Sequence, residues 1–598
     1  MTDDATRQVE QPDTGSAATA ATYGTPAGGG AATPVATAPD AANRARWAIG
    51  LGVAGLAVVA VIAAFLMLGS RPTPPALTYI PADAVLVVEV RPDLPGDQLQ
   101  KLGNVLAHFP GFADQSTLPE KLDESFAQLL GRASGGSVDY VADIKPWLSG
   151  PAFVALLAPA DAAADNPMSF FHGVASLTTT GSVACEALLQ GVTVTHETYR
   201  NLDLVVDPGG ASACVVDGTQ ALIGDTASVR QAIDAHADGT AIDRNATYQE
   251  ARASLQGDQL GVLYLSGSGY LTMLDELSEL SPDMPDMSSF AGAFPAWVVQ
   301  GLRAEDDAIV LDSVVEVAPA AAGASPGPSL LPVPPAHPSA ILPFAPANTI
   351  VYFESQGIGV SLQNAVTVFE AFPMYEPMLG LLDGAGGASE LVGWIEDAGV
   401  IVVNGESGVT GGVAVVATDA AAATERVSAL KGLLALAGLG ASGIETREST
   451  IGGVTVTTVS ITDLGSLVPP GQLPPGVVVP DDAVIEFSIA AKDRVILLST
   501  GESFMTAALT VQPGAGLADA AGYRTATSRA LPNSQATIYV AIRDIVGLVE
   551  PLIPAEAQAQ WDTEIKPYIA PFQALSMTSA ADPTGNGRSR ITITITNP

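Results

Sequence analysis

Cysteine is nearly absent. The 598 residues hold two, Cys185 and Cys214, which excludes a disulfide-scaffolded fold and a CxxC metal or redox site. In an oxidising compartment the pair can close one bridge across a modest loop; the alternative is two separately buried thiols. Cationic side chains are scarce as well. Lys and Arg number 25 against 63 Asp and Glu, a net charge of −38. A surface that acidic repels phosphate backbones and anionic headgroups, which argues against a nucleic-acid partner. Only 15% of residues are charged and 47% are hydrophobic, so the chain can build large cores. Its length suits two to four domains of ordinary size.

Catalytic motifs are missing too. The strings nearest to the GxSxG elbow, Gly405-Glu406-Ser407-Gly408 and Gly501-Glu502-Ser503-Phe504, both lack the closing glycine. Ser428-Ala429-Leu430-Lys431 satisfies SxxK, yet neither Ser-Asp-Asn nor Lys-Thr-Gly occurs, and no P-loop GxxxxGK[ST] exists. The five histidines, His108, His172, His196, His236 and His337, offer no HxH or HExxH pair. A zinc site assembled only by folding stays open. Asp283/Asp286 and Asp481/Asp482 lack EF-hand spacing and read as solvated acidic loops. The expectation is a protein without cofactor or metal, and not an enzyme.

One long hydrophobic run is present. Trp47 to Gly69 carries no charge and no proline over 23 residues. That is about 34 Å of helix, enough for the ~30 Å hydrocarbon layer. The run also satisfies GxGxxG at Gly50 to Gly55, but the preceding chain supplies no strand, so the dinucleotide reading fails. Arg44 and Arg46 precede the run and Arg71 follows it, which favours a cytoplasmic N-terminus. The tail before it is rich in Ala, Thr, Gly and Pro and cannot bury enough surface to order itself. The expected layout is a disordered cytoplasmic tail over 1–46, a transmembrane helix over 47–69 and a Pro-rich stem over 70–77. The bulk then lies outside the plasma membrane, held by a single pass.

The bulk reads as two copies of one unit. Pro81-Ala82-Asp83-Ala84-Val85-Leu86-Val87-Val88-Glu89 reappears as Pro346-Ala347-Asn348-Thr349-Ile350-Val351-Tyr352-Phe353-Glu354. Phe109-Pro110 recurs as Phe372-Pro373, after amphipathic stretches with Leu99, Leu102, Leu106 and Phe109 on one face, and Leu362, Val366, Phe369 and Phe372 on the other copy's. Trp147-Leu148 matches Trp394-Ile395, Tyr248 matches Tyr523, and Tyr264 matches Tyr539. The segments starting at Gly173 and Gly412 each read as a strand running into a helix. The boundaries implied are 78–317 and 341–598, with a Pro/Ala-rich linker over 318–340. Asn586-Gly587 predicts a tight turn into the alternating strand Ile591 to Thr596, and Glu305-Asp306-Asp307 the matching one. Tight turns imply antiparallel pairing, so the fold class expected is α+β: two tandem repeats of a mostly antiparallel sheet with helices on one face.

The Pro-Ala-Asp/Asn opening that ends in Glu, the Phe-Pro after the first helix and the Trp before the next strand together resemble a bacterial family known as "domain of unknown function 3352". The resemblance implies a membrane-anchored protein with a large exported part. It implies no activity, ligand or site residue.

Glu89 and Glu354 end equivalent strands and form the one candidate pair. Were the copies to meet near those strand ends, the two carboxylates would approach, raising one pKa and creating an acid/base or cation-binding site. The function expected is a structural or binding role at the cell envelope, its partner unidentified. A carrier or sensor of an apolar ligand is the alternative, and an unrecognised hydrolase a further one.

Overall fold

The computed structural model describes residues 74–90, 96–133, 140–158, 172–180, 185–189, 193–280, 294–316, 335–370, 387, 390, 392–405, 408–440, 444–462, 484–583 and 585–596. The tail, the run Trp47 to Gly69, Phe372-Pro373 and both aspartate pairs lie outside them. No helix among the described residues is long and apolar enough to cross a membrane. The chain divides into Met1–Trp47 and Ala48–Pro598, and the second unit is the one described.

Mixed helix and strand surround one large antiparallel sheet of 20 strands. The first ten are β1 (Leu86–Val90), β2 (Leu148–Leu157), β3 (His172–Thr179), β4 (Thr195–Tyr199), β5 (Leu202–Val206), β6 (Ala213–Asp217), β7 (Gln220–Gly224), β8 (Gly261–Ser266), β9 (Trp297–Glu305) and β10 (Ala308–Val315). The second ten are β11 (Thr349–Ser355), β12 (Ile395–Gly405), β13 (Gly408–Ala417), β14 (Ile444–Ile451), β15 (Val454–Ile461), β16 (Ile485–Lys492), β17 (Val495–Ser499), β18 (Ala536–Val540), β19 (Phe572–Ala581) and β20 (Gly587–Ile595). Hydrogen-bonded neighbours give the spatial order β4-β5-β6-β7-β3-β2-β1-β8-β9-β10 for the first series. The second runs β14-β15-β16-β17-β13-β12-β11-β18-β19-β20, the same succession. The last strands of the two series join: β10 pairs with β20 from Ala308↔Thr594 to Val315↔Gly587.

Helices lie against both faces of the sheet, not one. In the first half, Phe153, Ala155, Leu204 and Leu222 pack under Val229, Ala232 and Ile233 of the helix Thr226–Asp238. On the opposite face Leu102 of the helix Gln98–Leu106 meets Leu302 and Ala304, and Cys185 packs with Val205 and Cys214. The second half repeats this with Phe504 and Met505 of the helix Glu502–Leu509 on one face, and Val427 of the helix Ala420–Gly440 on the other. The reason is local. Strands such as β17, Val495-Ile496-Leu497, are buried at consecutive positions, so both faces are apolar and both need covering. Each large side chain so buried contributes roughly 1.5–3 kcal/mol. Gly412 is glycine because a Cβ there would stand 2.3 Å from the Phe504 ring.

Three further expectations shift. Leu99 is 41% exposed and the helix ends at Leu106, short of Phe109. The last turn spans Asp582 to Asn586, with Gly585 at φ +93° and Gly587 already inside β20. The Asp582 carboxylate accepts from the Asn586 N–H at 3.0 Å, and so holds the longer turn. The stem also stops early: Pro75–Tyr79 is a 3-10 turn with Ala76 and Leu77 buried in the first core. Cys185 and Cys214 are bonded to each other, Cα atoms 5.5 Å apart.

Candidate functional site

Glu354 lies on the buried alternation of β11, beside Tyr352, and only 5% of it is exposed. The Tyr352 hydroxyl donates to Glu354 Oε2 at 2.7 Å, and Ser339 Oγ stands 3.4 Å from that hydroxyl. Burial pushes the Glu354 carboxyl above its ordinary range. The bonds from Tyr352 and Ser339 and the field of His337 pull it back, and the negative field of Asp397 pushes the same way as burial. Burial and Glu354 together also push the Tyr352 hydroxyl up.

Asp397 reaches the same region through an irregularity in β12. Ile395 pairs with Ala417 and Asp397 with Val416, so one residue of β12 is extra at Glu396. In a regular strand adjacent side chains point to opposite faces; a bulge re-aims them. Here Glu396 and Asp397 both approach His337, whose Nε2 stands 3.8 Å from Glu396 Oε1 and 3.3 Å from Asp397 Oδ1. Asp397 is fully buried and its Oδ1 accepts the Gly357 N–H at 2.9 Å. Glu396 also pairs through Oε2 with Arg494. Gln356 holds the His337 backbone from both sides, accepting its N–H at 3.0 Å and donating to its carbonyl at 2.7 Å. Among the described residues Glu354 Oε1 and Asp397 Oδ2 have no hydrogen-bond donor.

The structure does not bring Glu89 and Glu354 together. Seven ladder steps separate β1 from β11, through β8, β9, β10, β20, β19 and β18. At ~4.8 Å per step that is about 34 Å. Glu89 instead pairs with Arg252 at 2.7 Å, Arg252 lying four residues past Tyr248. Four residues past Tyr523 stands Thr527, whose hydroxyl donates to the Tyr523 carbonyl, so Glu354 has no such cation.

His337 was hidden within the segment read as linker, of which 335–340 are folded and described. The available signal was Glu396-Asp397, a charged pair just inside a strand whose first-half counterpart follows Trp147-Leu148 with Ser-Gly-Pro. The SxxK string is not assembled for chemistry: Ser428 donates to the Thr424 carbonyl, and Lys431 pairs with Glu448.

Because burial raises the Glu354 pKa, its folded value lies above the unfolded one. Stability from the protonated form is full below the ordinary carboxylate pKa and is lost as pH rises through the raised value. Glu354→Gln should therefore raise the melting temperature at pH 7 in chelator-treated protein and leave it unchanged near pH 4. Equal shifts at both pH values would contradict this.

A second feature lies on the outer face of the second half. A groove of about 350 Å³ runs over β12, β13, β17, β16 and β15 beneath Leu430, lined by Val400, Val402, Gly411, Gly412, Val413, Val459, Phe487, Ile489 and Leu498. Phe487 and Val413 at its mouth are 49% and 42% exposed. Two of the lining hydroxyls are satisfied, Ser488 with Thr458 at 2.8 Å and Ser499 on the Gly501 carbonyl at 2.8 Å.

Comparison with known proteins finds little. No curated protein matches the chain. Two solved structures, "Structure of crystal form III of TP0453" and "Structure of crystal form I of TP0453", are each 8% identical, with TM-scores of 0.22 and 0.21. They cover 41% and 42% of this chain and 81% and 82% of their own, a likeness too slight to argue from. A family model described as "Protein of unknown function (DUF3352)" matches residues 47–595, and the chain belongs to that family.

Proposed function

We propose that this protein is a non-enzymatic binding protein of the cell envelope. Its transmembrane helix, Trp47 to Gly69, holds it in the plasma membrane with the N-terminus cytoplasmic, and its exported body consists of two copies of one α+β unit over 78–317 and 341–598. The repeated strand succession supports the two-copy reading. So do the tyrosine pairs Tyr248–Tyr264 and Tyr523–Tyr539, edge-on at 5.1 and 5.2 Å. Following ladder partners from Tyr264 and from Tyr539 makes Asp312 and Arg590 equivalent, and these two face each other across the seam. A pseudo-two-fold axis therefore passes between them. The Cys185–Cys214 bridge supports an oxidising exterior.

The groove carries the binding role. Its volume of about 350 Å³ falls within the ~300–1,000 Å³ of small-molecule sites, and its lining is almost wholly apolar. The size suits one small apolar molecule, such as an acyl chain, rather than a helix of a partner. Full-length protein in lipid vesicles, cross-linked by a diazirine-bearing fatty acid, should be labelled on peptides around Val413 and Phe487 as well as in the anchor. Phe487→Asp places a charge in the groove. It should cut labelling there about tenfold, each ~1.4 kcal/mol being one decade, while the anchor signal serves as internal reference. Wild-type labelling confined to the anchor would refute the reading.

A further inference from the structure

We propose that His337, Glu396 and Asp397 form a site for a divalent transition cation of the zinc or manganese class. One imidazole nitrogen and two carboxylate oxygens lie within 4.8 Å of one another. His337 Nδ1 stands 3.2 Å from the Pro338 carbonyl. With its N–H donating there, the Nε2 lone pair faces Glu396 Oε1 and Asp397 Oδ1, three electron-rich atoms converging. A cation between them turns that repulsion into ligation, and a backbone carbonyl on the second ring nitrogen is the usual support of a metal-bound histidine.

Burial supplies the independent observation. Asp397 is 0% exposed, yet its Oδ2 has no donor among the described residues. Glu354, 5% exposed, is in the same position through Oε1. Buried acceptors without partners cost about 1–3 kcal/mol each and call for an ion or a water. The three ligand residues are also held before any ion arrives: Gln356 fixes the His337 backbone, Gly357 N–H fixes Asp397, and Arg494 fixes Glu396.

The donor set selects the metal class. Calcium and magnesium take oxygen ligands, whereas imidazole with carboxylate suits zinc and its neighbours. Three protein ligands leave a fourth position for water, and the side chains of His337 and Glu396, 28% and 33% exposed, give access from solvent. A superficially similar set fails this reasoning. His196 meets Asp203 through Nδ1 and Glu186 through Nε2, so its two carboxylates flank opposite nitrogens and cannot share one ion.

Untagged full-length protein in detergent, stripped with chelator, can be titrated calorimetrically with zinc sulfate and separately with manganese chloride, with bound metal counted by elemental mass spectrometry. One equivalent should bind. His337→Ala and Glu396→Gln should each weaken binding at least ~10-fold, and His196→Ala should leave it unchanged. Asp397→Asn alters a buried group, so its melting curve is taken alongside; Glu396→Gln, at a part-exposed position, keeps the test independent of folding. No saturable binding by wild type overturns the proposal. So does binding that survives His337→Ala and Glu396→Gln at full strength, or that is lost with His196→Ala.

Discussion

Asp312→Ala should lower the unfolding free energy by about 3–5 kcal/mol, the cost of breaking a buried ion pair from one side. Asp312 lies at the centre of the β10–β20 seam, opposite Arg590. Its Oδ1 accepts Arg590 Nε at 2.6 Å, and its Oδ2 pairs with Arg303 Nη1. The carboxylate and both guanidiniums are shielded, with side-chain exposures of 10%, 18% and 12%. Removing the carboxylate leaves the shielded guanidiniums of Arg303 and Arg590, far apart in sequence but adjacent in space, without the anion they share. The larger consequence concerns cooperativity. Each half has its own core cluster, and the seam is built on one pair of strands, eight residue pairs long, flanked by the Arg529–Asp307 ion pair and the Phe109–Phe572 ring contact. Urea unfolding of the full chain, followed by tryptophan fluorescence, should change from one transition to two in Asp312→Ala. An unfolding free energy within about 1 kcal/mol of wild type, with a single transition, would show that the seam does not depend on this pair.

The second large effect is the disulfide. Cys185 and Cys214 stand 29 residues apart, and closing a loop of that length stabilises by roughly 3–4 kcal/mol in the chain-entropy account. The bridge pins the short helix Cys185–Leu188 to β6, where Cys185 and Cys214 are almost wholly buried. The double substitution Cys185→Ser with Cys214→Ser should lower the unfolding free energy of the chain's single transition by that amount, and in the Asp312→Ala background it should move only the first half's transition, because the second half has no cysteine. Wild type in reductant should behave like the variant. Coinciding curves in oxidant and reductant would mean that the bridge contributes nothing.

Much of the architecture is legible in the residues. β-branched runs and tight turns placed β1, β11 and the β9–β10 hairpin, since strand periodicity and turn chemistry act over a few residues. The Asn586-Gly587 turn misleads for a related reason: Asp582 caps a longer loop with its side chain, and no local dipeptide signal reports that. Helix coverage of both faces was also missed. Expecting one wet face suits an isolated hairpin, but a central strand such as β17 is apolar at successive positions.

The site shows the division most clearly. The residues alone determine the length of the apolar run Trp47 to Gly69, the acidic balance, and the presence of Glu89 and Glu354 in matching stretches of sequence. Only the tertiary structure decides that those glutamates stand seven strands apart, that one meets Arg252, and that the other shares its surroundings with Asp397 and His337. Local patterns depend on neighbours along the chain. Charge pairing and ligation depend on atoms a few ångströms apart in space, and here a one-residue bulge brings Asp397 to His337, a residue distant from it in the chain.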